Sequence, residues 1–168
     1  MSDLYISWEE YHQKIEQLAF KVYQSDWAFN QIVCLAKGGL RVGDILCRIY
    51  DQPLAILYAS SYGGEHNQVR GNLTFSRDVA MTNAQMGSRV LLVDDLVDSG
   101  ITLQRSIDWL KQHYGTSVDE VRTACLWYKA HSVIAPDYYV DYLADNPWIH
   151  QPFEIYEKMH PGELNHQS

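Results

Sequence analysis

The chain has 168 residues and a formal net charge of -8, with 13 Lys and Arg against 21 Asp and Glu. This charge argues against nucleic acid and anionic membrane surfaces as partners, because both select clustered positive side chains. No apolar run approaches the roughly 20 residues of a membrane span, and the first residues lack the features of a secretion signal. We expect one cytoplasmic domain, residues 1–168, of the α/β class.

The first predicted elements are a helix, a strand and a second helix. Residues 7–23 begin with the capping-box pattern of Ser7 and Glu10 and continue with apolar residues at helical spacing. The apolar run 31–36 predicts a buried strand, and 40–49 predicts a helix packed on the sheet. A strand, a glycine-rich turn and a helix form half of a βαβ unit.

The middle of the chain contains a weaker strand and a long polar segment. Residues 53–58 alternate loosely and predict a second strand. Residues 60–74 contain three glycines and many polar side chains. A loop of this length in a compact domain is usually functional or mobile, and a solvated hairpin is the alternative.

The most informative stretch is 90–102. Residues 90–93 predict a strand buried on both faces, and Asp94, Asp95 and Asp98 follow directly. A helix then begins, so the backbone N–H groups of 99–102 lie at a helix N-terminus, where a phosphate binds favourably. Acids at the end of the strand suit sugar hydroxyls or a divalent cation. Other nucleotide-binding or receiver-type α/β proteins also contain a buried strand followed by a capped helix.

Two further strands and a turn-rich segment complete the prediction. Residues 121–128 predict a strand ending at Lys129, and 138–143 predict a shorter one. Residues 145–153 are rich in turn formers and contain two aromatics, and the tail from residue 160 is polar. These strands should place Lys129 at the carboxyl edge of the sheet, where open α/β sheets bind ligands.

The stretch 90–102, with two acids and then Asp98-Ser-Gly-Ile-Thr102, resembles the phosphoribosyl-pyrophosphate (PRPP) motif of the type I phosphoribosyltransferases. Nearly the whole chain resembles the bacterial xanthine-guanine members of that family. This wider resemblance rests on six segments: 5–8, 36–40, 60–62, 93–100, Lys129 and 148–153. Two features depart from the family pattern: His150 replaces a typical acid, and the 60–74 loop is longer and richer in glycine.

The resemblance implies a twisted, mostly parallel sheet flanked by helices, with a small C-terminal hood at about 138–160 and a polar tail at about 160–168. It also implies Mg²⁺-dependent transfer of the 5-phosphoribosyl group from PRPP to xanthine, guanine or hypoxanthine. The products would be a nucleoside 5′-monophosphate and pyrophosphate. A homodimer or homotetramer is the expected assembly.

The resemblance also implies roles for the PRPP side of the site. Asp94 and Asp95 would hold Mg²⁺ or ribose hydroxyls, and Asp98 would be the general base for the purine N7 proton, or simply a turn or N-cap acid. The residues expected to bind the 5′-phosphate and ribose are Asp94, Asp95, Asp98, Ser99, Gly100, Ile101 and Thr102. Pyrophosphate would bind to Ala36, Lys37, Gly38 and Gly39. In the family this loop has a non-proline cis peptide, here expected at Ala36–Lys37 or Lys37–Gly38.

On the base side, the ammonium of Lys129 would donate to a 6-oxo group, unless it is a solvated strand-end lysine. Trp148 would stack on the purine and Ile149 backbone groups would contact its 2-position, with aromatic packing as the alternative for Trp148. Residues of the 60–74 loop would close over PRPP and exclude water, namely Ser61, Tyr62 and Arg70.

Two other functions remain possible from the sequence. A regulatory protein could retain the PRPP fold and bind nucleic acid, but it would need a basic patch that the scattered Lys and Arg do not provide. A transferase for another base, such as adenine or a pyrimidine, is the second alternative, and Lys129 and the 148–153 segment argue against it.

Overall fold

The computed structural model describes residues 2–61 and 73–165. The predicted mobile-loop residues Tyr62 and Arg70 therefore lie outside the described residues, as does the side chain of Ser61. In chain order the elements are β1 (Leu4–Tyr5), α1 (Trp8–Gln24), β2 (Gln31–Ala36), α2 (Leu40–Tyr50), β3 (Leu54–Ser61), β4 (Leu73–Phe75), β5 (Arg89–Val93), β6 (Leu96–Val97), α3 (Ile101–Tyr114), β7 (Glu120–Lys129), β8 (Tyr138–Leu143), β9 (Ile149–His150), α4 (Glu154–Glu157) and a 3₁₀ turn (Pro161–Glu163).

The central sheet has the neighbour order β4-β3-β2-β5-β7, and β8 pairs with the far edge of β7. β5 and β6 lie along the same edge of β7, because residues 120–124 of β7 pair with β5 and residues 127–128 pair with β6. Every pairing in this sheet is parallel except that of β3 with β4. The predicted mostly parallel sheet is confirmed.

The central strands β2 and β5 are buried on both faces, which explains why they are continuous apolar runs. Alternate residues of each strand point to opposite faces, so Cys34 and Val93 pack on one side while Leu35 and Leu92 pack on the other. α1 and α2 cover the first face and α3 covers the second. The predicted arrangement of helices on both faces is therefore confirmed.

α1 begins where the capping pattern predicts. The Glu10 backbone N–H donates to Ser7 Oγ at 3.2 Å, which satisfies one N–H of the first helical turn. The buried residues of α1, which include Tyr11, Ile15 and Leu18, face the sheet. None of the helices in the described ranges 2–61 and 73–165 is long and apolar enough to cross a membrane.

Two short strands join the ends of the chain. β1 runs parallel to β9, with Leu4 opposite Ile149 and Tyr5 opposite His150. The predicted turn-rich segment 145–153 therefore contains a strand that fixes its position against the N-terminal residues. The ends of the 60–74 segment form the antiparallel pair β3–β4, in which Ser61 lies opposite Leu73.

Candidate active site

The candidate site lies at the carboxyl edge of the parallel strands. β2, β5, β6 and β7 all end at this edge, so the residues that follow them meet there although they are distant in sequence. The structure brings together four groups from the sequence prediction: the turn 37–39 after β2, Asp94 and Asp95 after β5, the loop 98–100 after β6, and Lys129 at the end of β7.

Asp94 and Asp95 lie where the chain interrupts its pairing with β7. The backbone N–H groups of Leu126 and Trp127 both donate to the Asp95 carbonyl oxygen, at 2.9 and 3.1 Å, so one residue faces two on the partner strand. Such a bulge redirects side chains at a strand end. It separates β5 from β6 and turns the two neighbouring carboxylates into different surroundings.

Asp94 lines an open cleft beside the start of α3. The other lining residues are Leu96, Val97, Asp98, Ser99, Gly100, Thr102 and Leu103. Burial, reinforced by the negative charge of Asp95, raises the pKa of Asp94 well above its usual value. A cation or hydroxyl donors in the cleft would therefore relieve an unfavourable charge.

Asp95 is buried and both of its carboxylate oxygens accept hydrogen bonds. The Leu96 N–H donates to Oδ1 and the Gln151 side-chain N–H donates to Oδ2, each at 2.7 Å. Gln151 belongs to the C-terminal segment, so this contact links that segment to the strand end. Gln151 is thus the side-chain partner of Asp95, on the side away from the cleft.

The turn after β2 approaches Asp95 closely. The Ala36–Lys37 peptide bond is cis, which is one of the two positions that the family resemblance indicates. A Cβ on Gly38 would lie 2.6 Å from Asp95 Oδ1, so only glycine allows the backbone to come this near. Lys37 is exposed beside it. The turn therefore offers backbone groups and one positive charge at the edge of the site.

The loop before α3 has the geometry expected of an anion-binding turn. Gly100 adopts a left-handed conformation (φ 79°), and a side chain there would overlap Ser132 Oγ. α3 begins at the next residue, and the Ser99 hydroxyl accepts from the Ile101 N–H at 3.3 Å. The first N–H groups of a helix lack intrahelical acceptors, so the end of α3 that borders the cleft attracts negative charge.

Asp98 lies in a small charged cluster at the mouth of this loop. Its Oδ2 is 3.4 Å from Lys129 Nζ, and its Oδ1 is 2.6 Å from His131 Nε2. The Asp98 side chain is 52% exposed, whereas that of Lys129 is 5% exposed. Lys129 also donates to Asn146 Oδ1 at 2.7 Å, which leaves one of its three N–H groups for a ligand.

The C-terminal segment presents an aromatic face and a strand edge. Trp148 is 63% exposed and Ile149 is buried. The N–H groups of Leu4 and Ile6 donate to the carbonyls of Trp148 and His150, both at 2.9 Å. In a parallel pair, the backbone groups of the intervening residue point to the opposite edge. Ile149 N–H and C=O therefore point away from β1.

His150 fixes this segment to the N-terminal residues. Its ring stacks on Tyr5 at a centroid distance of 4.4 Å, and its two nitrogens lie 3.0 Å from Asp3 and 3.2 Å from Glu154 carboxylate oxygens. The hydrogen bond to Asp3, followed by that to Glu154, raises the pKa of His150. His150, which replaces the typical acid of the family, thus contacts Tyr5, Asp3 and Glu154 and has a structural role.

Sequence reasoning did not identify three residues of the site: His131, Asn146 and Gln151. Asp98 and His131 are 33 positions apart and are joined by loop packing, which no local spacing indicates. Asn146 and Gln151 lie within the turn-rich segment 145–153, but their partners depend on how this segment packs against the strand ends. In the sequence, only the position of Lys129 at a strand end indicates that polar side chains from other loops lie nearby.

No group of three or more His, Cys, Asp or Glu side chains suited to a metal occurs within residues 2–61 and 73–165. Mg²⁺ does not need one, because it commonly binds through one or two carboxylates with waters and substrate phosphates completing its shell. Asp94, a half-buried carboxylate that lines the cleft, fits that mode of binding.

A family model described as the phosphoribosyl transferase domain matches residues 7–158. A xanthine-guanine phosphoribosyltransferase from Idiomarina loihiensis is 27% identical over 155 residues, covering 92% of this chain and 88% of that protein. Another from Gluconobacter oxydans is 29% identical over 154 residues, covering 89% of this chain and 83% of that protein.

A solved structure shares the fold. The crystal structure of a purine phosphoribosyltransferase from Pyrococcus horikoshii superposes with a TM-score of 0.72 and 26% sequence identity, with 100% of each chain covered. Since the family model spans most of the sequence and the PRPP-motif residues meet at the carboxyl edge of the sheet, the chain belongs to the phosphoribosyltransferase family, and its fold is the type I fold.

Proposed function

We propose that this protein transfers the 5-phosphoribosyl group of PRPP to a 6-oxopurine, releasing pyrophosphate. The observation that carries the proposal is the pair of Asp98 and Lys129, 3.4 Å apart beside the cleft at the start of α3. One side chain can accept a proton and the other can only donate. The names of the bacterial relatives, which are xanthine-guanine enzymes, support a purine as the acceptor.

PRPP would occupy the cleft with its 5′-phosphate against the N-terminus of α3. The backbone amides of 99–102 would bind the phosphate oxygens, and Gly100 allows the turn that exposes them. Asp94 would accept from ribose hydroxyls. The pyrophosphate would extend towards Lys37 and the backbone of Gly38, which supply positive charge and N–H donors.

Mg²⁺ fits beside Asp94, and when bound it supplies neutralisation of the leaving pyrophosphate. The Asp94 carboxylate would hold it, directly or through water, because burial and the neighbouring Asp95 make the ionised carboxylate unfavourable without a nearby cation. Asp95 contributes from the other side by keeping Gln151 and the 36–39 turn in place.

The purine would lie between Trp148 and Lys129. The exposed indole of Trp148 offers a face for stacking, and the backbone groups of Ile149 are oriented away from β1 and free for the 2-position. The remaining N–H of Lys129 would donate to the 6-oxo oxygen. Adenine has a 6-amino group at the same position. Two donors, this amino group and the Lys129 ammonium, would then face each other without an acceptor.

The reaction is a displacement at C1′. As purine N9 forms a bond to C1′, the bond from C1′ to the pyrophosphate oxygen breaks and the purine loses its N7 proton. The Asp98 carboxylate is the group placed to accept that proton, a general-base role worth about 10²- to 10⁴-fold in rate. Closing the site against water would limit hydrolysis of PRPP.

The test is a panel of acceptors. The protein is incubated with PRPP, Mg²⁺ and one of xanthine, guanine, hypoxanthine, adenine or uracil, and pyrophosphate release is followed. The doubly substituted variant Asp94→Asn, Asp98→Asn, purified in the same way, measures any contaminating host enzyme. Release with at least one 6-oxopurine and little with adenine or uracil is expected. Faster release with adenine or uracil, or none above the double variant, would contradict the proposal.

A further inference from the structure

His131 makes the shortest side-chain contact to Asp98 among the described residues. Its Nε2 lies 2.6 Å from Asp98 Oδ1, whereas Lys129 Nζ lies 3.4 Å from Oδ2. A carboxylate can only accept, so the ring nitrogen carries the hydrogen and donates it. A contact this short to a charged acceptor is one of the stronger hydrogen bonds of a protein surface.

The loop 130–134, which carries His131, is hydrogen-bonded through its backbone to the loop 98–100. The Val133 N–H donates to the Ser99 carbonyl at 2.8 Å, and the Ala130 N–H donates to the Leu143 carbonyl at 2.9 Å. Gly100 packs so closely against Ser132 that any side chain on it would overlap the hydroxyl. The loops 98–100 and 130–134 therefore keep a fixed relation, and the contact between Asp98 and His131 follows from it.

Asp98 needs such a restraint because its side chain is 52% exposed. An exposed aspartate on a turn can rotate between rotamers, and each wrong rotamer removes the carboxylate from the purine. Lys129 restrains it weakly, since its ammonium lies closer to Asn146, at 2.7 Å. His131 is the remaining partner with a short contact.

We propose that His131 is a positioning residue: it holds Oδ1 of Asp98 so that Oδ2 faces the purine and takes the N7 proton. This inference rests on the proposed function. His131 itself neither touches the substrate nor accepts the proton. It acts through Asp98, so its effect should appear in turnover and disappear when Asp98 can no longer act as a base.

The experiment compares steady-state kinetics of His131→Ala, His131→Gln, Asp98→Asn and the double variant His131→Ala, Asp98→Asn. His113→Ala is the matched control, because His113 is an exposed histidine in the last turn of α3, at the opposite end of that helix from Gly100. Thermal unfolding of each variant separates loss of turnover from loss of folding.

We expect His131→Ala to lower kcat by about 10- to 100-fold, as for a misplaced catalytic group. KM for PRPP should change by less than about twofold, because the phosphate site is intact. His131→Gln, which keeps an N–H donor but cannot take up a proton as imidazole can, should recover part of the loss. His113→Ala should keep the turnover of the unsubstituted protein, and the loss of its stacking on Trp109, at a centroid distance of 3.9 Å, should affect thermal unfolding alone.

The double variant distinguishes the positioning role of His131 from the general-base role of Asp98. In the Asp98→Asn background, His131→Ala should cost less than about twofold more, since the two residues act as one unit. Equal losses in both backgrounds, full turnover in His131→Ala, or no recovery in His131→Gln would overturn the positioning role while leaving the transferase function standing. Full turnover in Asp98→Asn would instead overturn the assignment of the base.

Discussion

Replacing Lys129 by methionine tests how the protein distinguishes 6-oxopurines. Methionine keeps most of the side-chain volume, so the 4% exposed site is not left as a cavity. The two groups that lose a donor, Asp98 and Asn146, are both exposed and can bind water instead. The free energy of unfolding should therefore change little, and the effect should fall on the ligand.

The magnitude follows from the bond that is lost. A hydrogen bond to a charged group contributes about 1.5–3 kcal/mol. At about 1.4 kcal/mol per tenfold change, kcat/KM with guanine or xanthine should fall by about 10- to 150-fold. Adenine would no longer meet an opposing donor, so the preference for guanine over adenine should decrease by at least that factor.

The assay measures kcat/KM for each base at saturating PRPP and KM for PRPP at saturating base. Lys111→Met, at an exposed position in the last turn of α3, is the matched control. A loss confined to the 6-oxopurines with an unchanged KM for PRPP is the expected result. Equal losses for base and PRPP would mean structural damage, and an unchanged base preference would refute the contact between Lys129 and the 6-oxo oxygen.

Three further predictions concern other parts of the site. Asp94→Asn should raise the concentrations of Mg²⁺ and PRPP needed for half-maximal rate while leaving thermal unfolding nearly unchanged, and normal PRPP use would contradict the role of Asp94. Gly100→Ala should lower the free energy of unfolding by at least about 1–2 kcal/mol, the cost of a left-handed non-glycine residue, as measured by urea titration; unchanged stability would show that the loop rearranges freely. The pKa of His150 is raised in the folded protein by Asp3 and Glu154, so its stabilisation is complete below the usual value of 6.5 and is lost as pH rises through the raised value. The difference in Tm between the protein and His150→Gln should therefore be larger at about pH 5.5 than at about pH 9, and a difference independent of pH would contradict it.

Much of the fold could be predicted because its strands are buried on both faces. The apolar run 31–36 coincides with β2, whose six residues are all buried. The predicted strand 138–143 coincides with β8, a half-buried edge strand, and the capping residue Ser7 marks the start of α1. β1 and β9 were not predicted, because two-residue strands have no periodicity to detect. They form only because the two ends of the chain meet.

The site was predictable to the extent that strand ends of a parallel sheet converge. Lys129 and the acids after β5 needed only the strand assignments to be placed at one edge. The alternation of side chains along a strand already predicts that Asp94 and Asp95 point to opposite faces. The bulge opposite Leu126 and Trp127 could not be predicted, because it depends on pairing with β7. The contact of His131 with Asp98 depends on two loops packing together, which the sequence does not encode in any local pattern.

Turnover of Asp98→Asn with two bases measures whether Asp98 takes the purine proton during phosphoribosyl transfer. Asparagine keeps the size and one acceptor oxygen of Asp98 but cannot serve as a base. We predict a fall in kcat of about 10²- to 10⁴-fold with hypoxanthine and a smaller fall with xanthine, the more acidic purine, with KM for PRPP nearly unchanged. The same fall with both bases, matched by an equal weakening of PRPP binding, would contradict the general-base role, because Asp98 would then only shape the phosphate loop.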